Sequence, residues 1–160
     1  MTRTGRSDVE SERTRIAKEF HWEMGHRLPY HNGGCRNIHG HSYRMQVAID
    51  GTLDDGGMVL DYFILKEIVD PLVDQLDHSF LCDHTDNEML EFFEATTLKH
   101  SIVPFYTTAE NIAGWFLQQI APRLESHANL HLLMVRVYET ERTYAERALD
   151  LDRYRAHGNG

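Results

Sequence analysis

Two stretches of alternating polar and apolar residues flank a glycine-rich loop, and each stretch has histidine on its apolar side next to that loop. Strands are predicted near residues 14–25 and 41–50, with the loop at 27–38. Side chains two residues apart on a strand point to the same face. The apolar side of the two stretches comprises Phe20, Trp22, Met24, His26, His39, His41, Tyr43, Met45, Val47 and Ile49. The pattern predicts an antiparallel hairpin that brings three imidazoles together.

Three neutral imidazoles that leave a fourth position open are a common ligand set for catalytic zinc. The alternative is coincidence, because one His-Gly-His is weak evidence and the chain has 11 histidines. The shared parity of His26, His39 and His41 favours the metal site. Cys35 lies in the loop between them. A lone cysteine is more often a small buried apolar residue, whereas beside a cation its thiol pKa falls and it becomes a candidate nucleophile or base.

Composition bounds the class of protein. With 160 residues, of which 41% are hydrophobic, the chain is expected to form one globular domain at 14–151, with flexible tails at 1–13 and 152–160. No apolar run approaches the roughly 18 residues of a membrane span, and no signal-peptide pattern opens the sequence, so the expected location is the cytoplasm. The net charge of −9 argues against nucleic acid as a partner. It leaves room for an anionic small molecule in a local basic pocket.

Helical patterns fill the middle of the chain. The first helix is predicted to begin at Asp61 as its N-cap, and Pro71 is expected to kink or restart it. A short helix at 86–95 and a connector at 96–106 follow. The Thr-Thr-Ala-Glu stretch from Thr107 has capping-box spacing and opens another helix.

A second hairpin is predicted at residues 130–139 and 143–151. The order β-β-α-α-β-β then predicts an α+β fold, a four-stranded antiparallel sheet with helices on one face. Such a sheet has two bare edges, which invite pairing with other chains. We therefore expect a barrel that is closed by oligomerisation.

Two further positions carry chemistry. Asp77 directly precedes His78, and a carboxylate beside an imidazole orients it and makes it more basic for proton transfer; the alternative is a loop aspartate next to a solvent-exposed histidine. Glu139 ends an apolar strand face. It is either a strand-end charge in solvent or a carboxylate that accepts paired N–H donors from a ligand ring.

Several ordered motifs together resemble the 6-pyruvoyl tetrahydropterin synthase / 6-carboxytetrahydropterin synthase family over about residues 14–151. The matching pieces are Gly25-His26-Arg27-Leu28-Pro29, Cys35-x3-His39-Gly40-His41-Ser42, Val59-Leu60-Asp61-Tyr62, Leu76-Asp77-His78, Thr108-Ala109-Glu110-Asn111 and Val137-Tyr138-Glu139-Thr140. The resemblance implies the tunnelling fold, in which subunits join their sheets into a barrel, commonly as a homohexamer built from two trimers.

The resemblance also implies roles for individual residues. Zinc would bind His26, His39 and His41. The implied catalytic set is Cys35, Asp77, His78 and Glu139, with Glu139 also anchoring the pterin ring. Thr108 falls in a matching motif and is a further candidate for substrate binding. Arg27 and Arg36 flank the site and are candidates for the triphosphate of the substrate.

The spacing between the cysteine and the His-Gly-His sorts members of this family. Three residues separate Cys35 from His39, which resembles the queuosine-pathway 6-carboxytetrahydropterin synthases; members acting in tetrahydrobiopterin synthesis typically have a longer gap. Folate-pathway variants carry a glutamate near the cysteine position, and this gap contains no acid. Two features depart from the family. The stretch 82–106 is longer than in compact members, and Thr107 stands where proline is usual.

The implied reaction converts 7,8-dihydroneopterin triphosphate to 6-carboxy-5,6,7,8-tetrahydropterin, acetaldehyde and triphosphate. Its nearest alternative is the pyruvoyl-forming synthase, which eliminates triphosphate without breaking a carbon–carbon bond. An alternative from another class is a non-catalytic oligomer that binds zinc or pterin. Cys35 and the Asp77-His78 pair argue against that alternative, because binding alone needs neither.

Overall fold

The alternating hairpin predicted from the sequence forms the centre of one mixed sheet. The computed structural model describes residues 12–158, so all but the end of the tail expected at 1–13 lies outside the described residues. The elements in chain order are β1 (Thr14–His26), β2 (His39–Gly51), α1 (Tyr62–Leu76), β3 (Ser79–Asp83), α2 (Asn87–Glu94), β4 (His100–Val103), α3 (Ala109–Ile120), β5 (Leu130–Tyr138), β6 (Tyr144–Asp150) and α4 (Leu151–His157). The part of the chain that the structure describes is therefore α+β, as predicted.

Strands β1 and β2 pair antiparallel along their whole length, in the register that the histidine pattern requires. His26 lies opposite His39, and Met24 lies opposite His41. The predicted apolar face is buried: Trp22 stacks on Tyr43 at 5.1 Å between ring centroids and contacts Phe116 of α3. Since α1 and α3 both pack on this side, the three histidines end the helix-covered face of the sheet.

The sheet has six strands among residues 12–158, not the four that were predicted. Their order is β4-β3-β1-β2-β5-β6. The two additional strands are parallel to their neighbours: β3 pairs with β1, and β4 pairs with β3. The expectation that the sheet is wholly antiparallel, with a plain connector at 96–106, was therefore wrong. Both strands are short, and parallel partners are distant in sequence, so neither leaves a strong local pattern.

Helix α1 runs through Pro71 as one helix, so the predicted restart does not occur. Pro71 is exposed, and it has no N–H to donate to the helix. Buried residues before and after it pack against the sheet, which keeps the helix continuous at this position. The predicted N-cap is confirmed, because the Asp61 carboxylate accepts the Phe63 N–H at 2.8 Å. The helix that was expected at 86–95 is also present, as α2.

The polar segment after residue 151 was expected to be a flexible tail, but it forms α4. Asp150 caps this helix by accepting the Arg153 N–H at 2.9 Å. Leu151 is buried in the core, and Arg155 donates to the Leu130 carbonyl oxygen at 2.7 Å. One buried side chain and one partly buried hydrogen bond therefore hold a segment whose composition is mostly polar. Among the described residues no helix has the length and apolarity to cross a membrane.

Candidate metal centre and active site

The three histidines converge at the end of the β1–β2 hairpin, where their ligand nitrogens lie within 4.8 Å of one another. His26 is 2% exposed, and its Nδ1 lies 2.7 Å from the Thr107 carbonyl oxygen. His39 Nδ1 lies 2.8 Å from the Asn37 carbonyl oxygen. Carbonyl oxygens only accept, so Nδ1 of both rings carries the proton and Nε2 is left free. Such a partner on the second nitrogen fixes the tautomer and orientation of a metal-binding imidazole.

Burial favours the neutral form of two of these rings, His26 and His41. Burial lowers the pKa of His26 to about 4; the hydrogen bond to Thr107 opposes this shift, and the neighbouring rings of His39 and His41 add to it. Burial also lowers the pKa of His41. Neutral imidazole is the form that binds metal. Three neutral nitrogen donors are the donor set of an open zinc site, so the residues present fit that ion.

The glycine inside His-Gly-His has a structural reason. Gly40 pairs with Gly25 across the hairpin, and a Cβ at position 40 would lie 2.9 Å from the Met24 carbonyl oxygen. That atom belongs to backbone, which cannot move aside without breaking the register. Gly40 therefore lets β1 and β2 approach closely enough to bring His39 and His41 to the same point as His26.

Glu139 directly follows β5 and faces His26, His39 and His41, the group of ligands that we call the metal cluster. Its Oε1 lies 3.9 Å from His26 Nε2, and its side chain is 28% exposed. Burial raises the pKa of Glu139, and the nearby Glu110 carboxylate raises it further. The Tyr43 hydroxyl lies 3.4 Å from His26 Nε2, and burial raises the pKa of Tyr43. Glu139 is thus beside the metal cluster, as expected of a residue that holds a ring next to a metal.

A small cavity of about 120 Å³ is lined by Glu139, by Glu110 at the N-terminus of α3, and by Thr143 just before β6. Two carboxylates can accept several N–H donors from one ring. The sequence interpretation missed Glu110 because it treated this residue only as part of a capping box. It also placed the N-cap at Thr107, whereas the cap is Thr108, whose Oγ1 accepts the Asn111 N–H at 3.3 Å. Thr107 instead holds His26.

The Asp77–His78 dyad lies beyond the C-terminus of α1. Asp77 Oδ2 is 2.8 Å from His78 Nδ1, and Asp77 Oδ1 accepts the Glu23 N–H at 2.9 Å. These two contacts lower the pKa of the Asp77 carboxyl, the first cause being the Glu23 N–H. His78 has φ of +53°, which is unusual for a residue with a Cβ and marks a constrained backbone.

His78 of the dyad lines a cavity that is also lined by His41, one of the three clustered histidines. The cavity measures about 380 Å³, and its lining includes His78, His41, Glu23 and Ser42. The His78 side chain is 76% exposed. Its ring is therefore free to meet a group that approaches from outside the chain.

Cys35 is a free, half-buried thiol in a short 3-10 turn at Gly34–Arg36. Among residues 12–158 no hydrogen bond joins Cys35 to Asp77 or His78. Within a single chain, Glu139 lies next to the three histidines, and Asp77 lies next to His78. The Cys35 thiol is not hydrogen-bonded to either member of that dyad.

The two arginines predicted to bind triphosphate differ. Arg36 is exposed at the 3-10 turn. Arg27 is 13% exposed and donates to both oxygens of Asp86, at 2.7 and 2.6 Å, and to Glu88 at 2.7 Å. Its guanidinium is already paired with two carboxylates, which tie the loop after His26 to the start of α2. The structure therefore places Arg27 in the framework of the site and leaves Arg36 open to an anion.

Comparisons with known proteins agree with this geometry. Residues 15–148 match the family described as 6-pyruvoyl tetrahydropterin synthase. A protein named 6-carboxy-5,6,7,8-tetrahydropterin synthase from Haemophilus influenzae is 36% identical over 140 residues, covering 82% of this chain and 96% of the relative. One of the same name from Synechocystis sp. is 37% identical over 131 residues, covering 78% and 85%.

A solved structure shares the fold. The 6-pyruvoyl tetrahydropterin synthase of Plasmodium falciparum superposes with a TM-score of 0.69 at 20% identity, covering 86% of this chain and 98% of that chain. At this identity the likeness shows the fold alone. It confirms the expected fold of the single chain, apart from the number of strands.

Proposed function

The chain belongs to the 6-pyruvoyl tetrahydropterin synthase family, and on that basis we propose that it is a zinc-dependent lyase acting on 7,8-dihydroneopterin triphosphate. The reaction consumes one water molecule, and its products are 6-carboxy-5,6,7,8-tetrahydropterin, acetaldehyde and triphosphate. One observation carries the proposal: three neutral imidazoles meet at a point that faces the half-buried Glu139 carboxylate. A metal-binding group and a ring-binding group thus lie side by side.

The carboxy-forming reaction is favoured over the pyruvoyl-forming one by two features. The gap between Cys35 and His39 holds three residues, as in the queuosine-pathway members that the motif resembles. The relatives with the same name as the proposed activity reach 36 and 37% identity. We accordingly assign the chain to the queuosine pathway.

His26, His39 and His41 would hold the zinc ion. When bound, zinc supplies Lewis acidity toward the hydroxyl oxygens of the substrate side chain. Glu139 accepts hydrogen bonds from the amino group and ring N–H edge of the pterin, and Glu110 lines the opposite side of the same cavity. This fixes the ring so that its side chain extends toward the metal cluster. Thr108 caps α3 and directly precedes Ala109, which lines that cavity.

Proton transfer falls to Cys35 and His78. The thiolate of Cys35 removes or returns a proton on the substrate side chain, and His78, oriented by Asp77, carries out the complementary transfer. Because His78 is largely exposed and is not bonded to Cys35 within one chain, we infer that assembly completes this set. A neighbouring subunit would bring its dyad to the thiol. Arg36 would contact the triphosphate.

This assembly is the expected homohexamer, a dimer of trimers. The edge strands β4 and β6 are available for pairing. A closed barrel removes both edges, which explains why a chain with such a sheet would oligomerise. We place the enzyme in the cytoplasm, where its nucleotide-derived substrate would be made.

Product analysis tests the proposal. Purified, zinc-loaded protein is incubated with 7,8-dihydroneopterin triphosphate, and the products are identified by mass spectrometry. We expect the carboxy-tetrahydropterin with one acetaldehyde per turnover. A pyruvoyl product with no acetaldehyde would assign the chain to the alternative reaction. Pterin binding without turnover would favour the non-catalytic interpretation.

A further inference from the structure

The C-terminus of α1 lacks a positive charge of its own. Helix carbonyls at this end have no intrahelical partner and carry partial negative charge, which basic residues in the last turn usually offset. The last turn of α1 contains no basic residue, and it contains Asp74. Lys99, which is 22 residues beyond Asp77, supplies the charge instead. Its Nζ donates to the Asp74 carbonyl oxygen at 2.7 Å and to the Asp77 carbonyl oxygen at 2.6 Å.

The second of these contacts acts on the dyad directly. The Asp77 carbonyl and the His78 N–H belong to the same peptide group. Its oxygen accepts from Lys99, and its N–H donates to the Glu23 carbonyl oxygen at 2.7 Å. Both polar ends of this peptide are therefore held. That matters because His78 has φ of +53°, a conformation that persists only when its surroundings enforce it.

Lys99 is itself held by the sheet. Its carbonyl oxygen accepts the Phe80 N–H at 3.1 Å, and Phe80 is paired with His100 at the start of the β3–β4 ladder. The backbone of Lys99 is thus fixed to Phe80 of β3, which lies two residues after His78. From this position the Lys99 side chain extends to the C-terminus of α1. This anchor exists only because the stretch 82–106 is long enough to include β4.

We propose that Lys99 is a positioning residue for the Asp77–His78 dyad, and that the segment joining β3 to α3 supplies it. Lys99 lines neither the cavity beside His78 nor the cavity beside Glu139. It acts by fixing the peptide from which the His78 side chain extends. The effect on turnover rests on the proposed function, but the effect on this peptide does not.

The test compares three variants of the full-length protein. Lys99→Met keeps the length and apolar stem of the side chain and removes the ammonium group; Lys99→Arg keeps a cationic donor. Lys66→Met is the matched control, because Lys66 lies on α1 but pairs only with Asp70 on the surface. Hydrogen–deuterium exchange is followed by mass spectrometry for peptides spanning residues 76–80. The kcat, KM and zinc content are measured in parallel.

We expect Lys99→Met to increase amide exchange in these peptides and to lower kcat on the order of tenfold, since small displacements of a catalytic group are costly. The KM and zinc content should stay near those of the wild type. Lys99→Arg should recover most of both losses, and Lys66→Met should show neither.

Two results would overturn the inference. One is exchange at 76–80 that stays the same in Lys99→Met as in the wild type. The other is a loss of kcat that Lys66→Met shows equally, which would indicate a general effect on α1. A wild-type protein that turns over no substrate, with exchange still increased in Lys99→Met, would refute the proposed function while supporting the positioning of the dyad.

Discussion

The metal cluster and the Asp77–His78 dyad each contribute one histidine, His41 and His78, to the same cavity, but they are held in opposite ways. His26 is 2% exposed and lies against the core, whereas the His78 side chain is 76% exposed. The cluster is fixed by strand register and by close approach of the backbone at Gly40. In the dyad, the Asp77 carboxylate accepts a hydrogen bond from the Glu23 N–H of β1. The peptide that joins Asp77 to His78 accepts one from Lys99 and donates one to the Glu23 carbonyl oxygen.

This difference matches what each group has to do. Burial disfavours the charged form of an imidazole, so the buried His26 presents a neutral nitrogen to a metal. A group that exchanges protons with a substrate benefits from access, which burial would remove. The exposed dyad has access, and directional hydrogen bonds replace packing as the means of orientation. The cluster should therefore be a property of one chain, and the dyad should function only in the assembly.

The sharpest test of the first half of this comparison is the removal of one ligand. His39→Ala should abolish zinc binding and bring turnover below detection, because two imidazoles do not retain the metal. Zinc content by elemental analysis and turnover by product formation are the measurements. His21→Ala is the control, since His21 is exposed on the opposite face of β1. Full zinc occupancy in His39→Ala would refute the ligand assignment.

The second half of the comparison is tested by mixing subunits. Cys35→Ala and His78→Ala should each keep zinc and lower turnover by roughly 10²–10⁴-fold, the usual effect of losing a positioned acid or base. Co-expressed, the two variants should regain activity, because a chain with intact Cys35 can pair with a neighbour that has an intact dyad. Random mixing in a closed ring gives about a quarter of wild-type sites.

Mixtures no more active than the separate variants would instead place thiol and dyad of one chain in the same site. Loss of zinc from Cys35→Ala would make the cysteine a ligand and remove it from proton transfer. Both results would remove the distinction between a cluster built by one chain and a dyad that needs the assembly.

The two regions also differ in how far the sequence predicted them. The cluster follows from alternation: the parity of His26, His39 and His41 relative to the apolar residues of β1 and β2 predicted their convergence, and the register confirmed it. Antiparallel hairpins connect residues close in sequence, so their pattern is local. The adjacency of Asp77 and His78 likewise indicated their contact.

The supports of the dyad could not be predicted in this way. Lys99 reaches it through a parallel ladder of four residues, and the backbone of Glu23 meets it across the β1–β3 pair. Neither contact depends on side-chain periodicity. The position of Arg27 was similarly hidden, since its partner Asp86 lies 59 residues away.

Acidification should distinguish the buried cluster from exposed histidines. The pKa of His26 is about 4 in the folded chain, against about 6.5 for an ordinary histidine. Between these values the unfolded state binds more protons, so the stability of the metal-free protein should fall as the pH is lowered from about 6.5 to about 4. The loss attributable to His26 is on the order of 3 kcal/mol.

The measurement is the free energy of unfolding of metal-free protein at a series of pH values. His26→Gln should flatten the curve over this range, because glutamine takes up no proton. His21→Gln, at an exposed position, should leave it unchanged. Parallel curves for the wild type and His26→Gln would mean that burial does not keep this ring neutral.

The smallest expected effect concerns Thr108, which caps α3 and was predicted from sequence to bind substrate. Its Oγ1 accepts the Asn111 N–H, so Thr108→Ala should lower the free energy of unfolding by about 1 kcal/mol. Thr108→Ser keeps the hydroxyl and should restore stability. If Thr108 only caps the helix, the KM for the pterin is the same in both variants as in the wild type. If its hydroxyl also binds the ring, Thr108→Ala raises KM severalfold at temperatures where both variants are fully folded, and Thr108→Ser does not. Thermal unfolding and steady-state kinetics are measured on Thr108→Ala and Thr108→Ser. The two roles are separable because stability depends on the hydrogen bond from Oγ1 to the helix, whereas KM depends on any contact of Oγ1 with the ring.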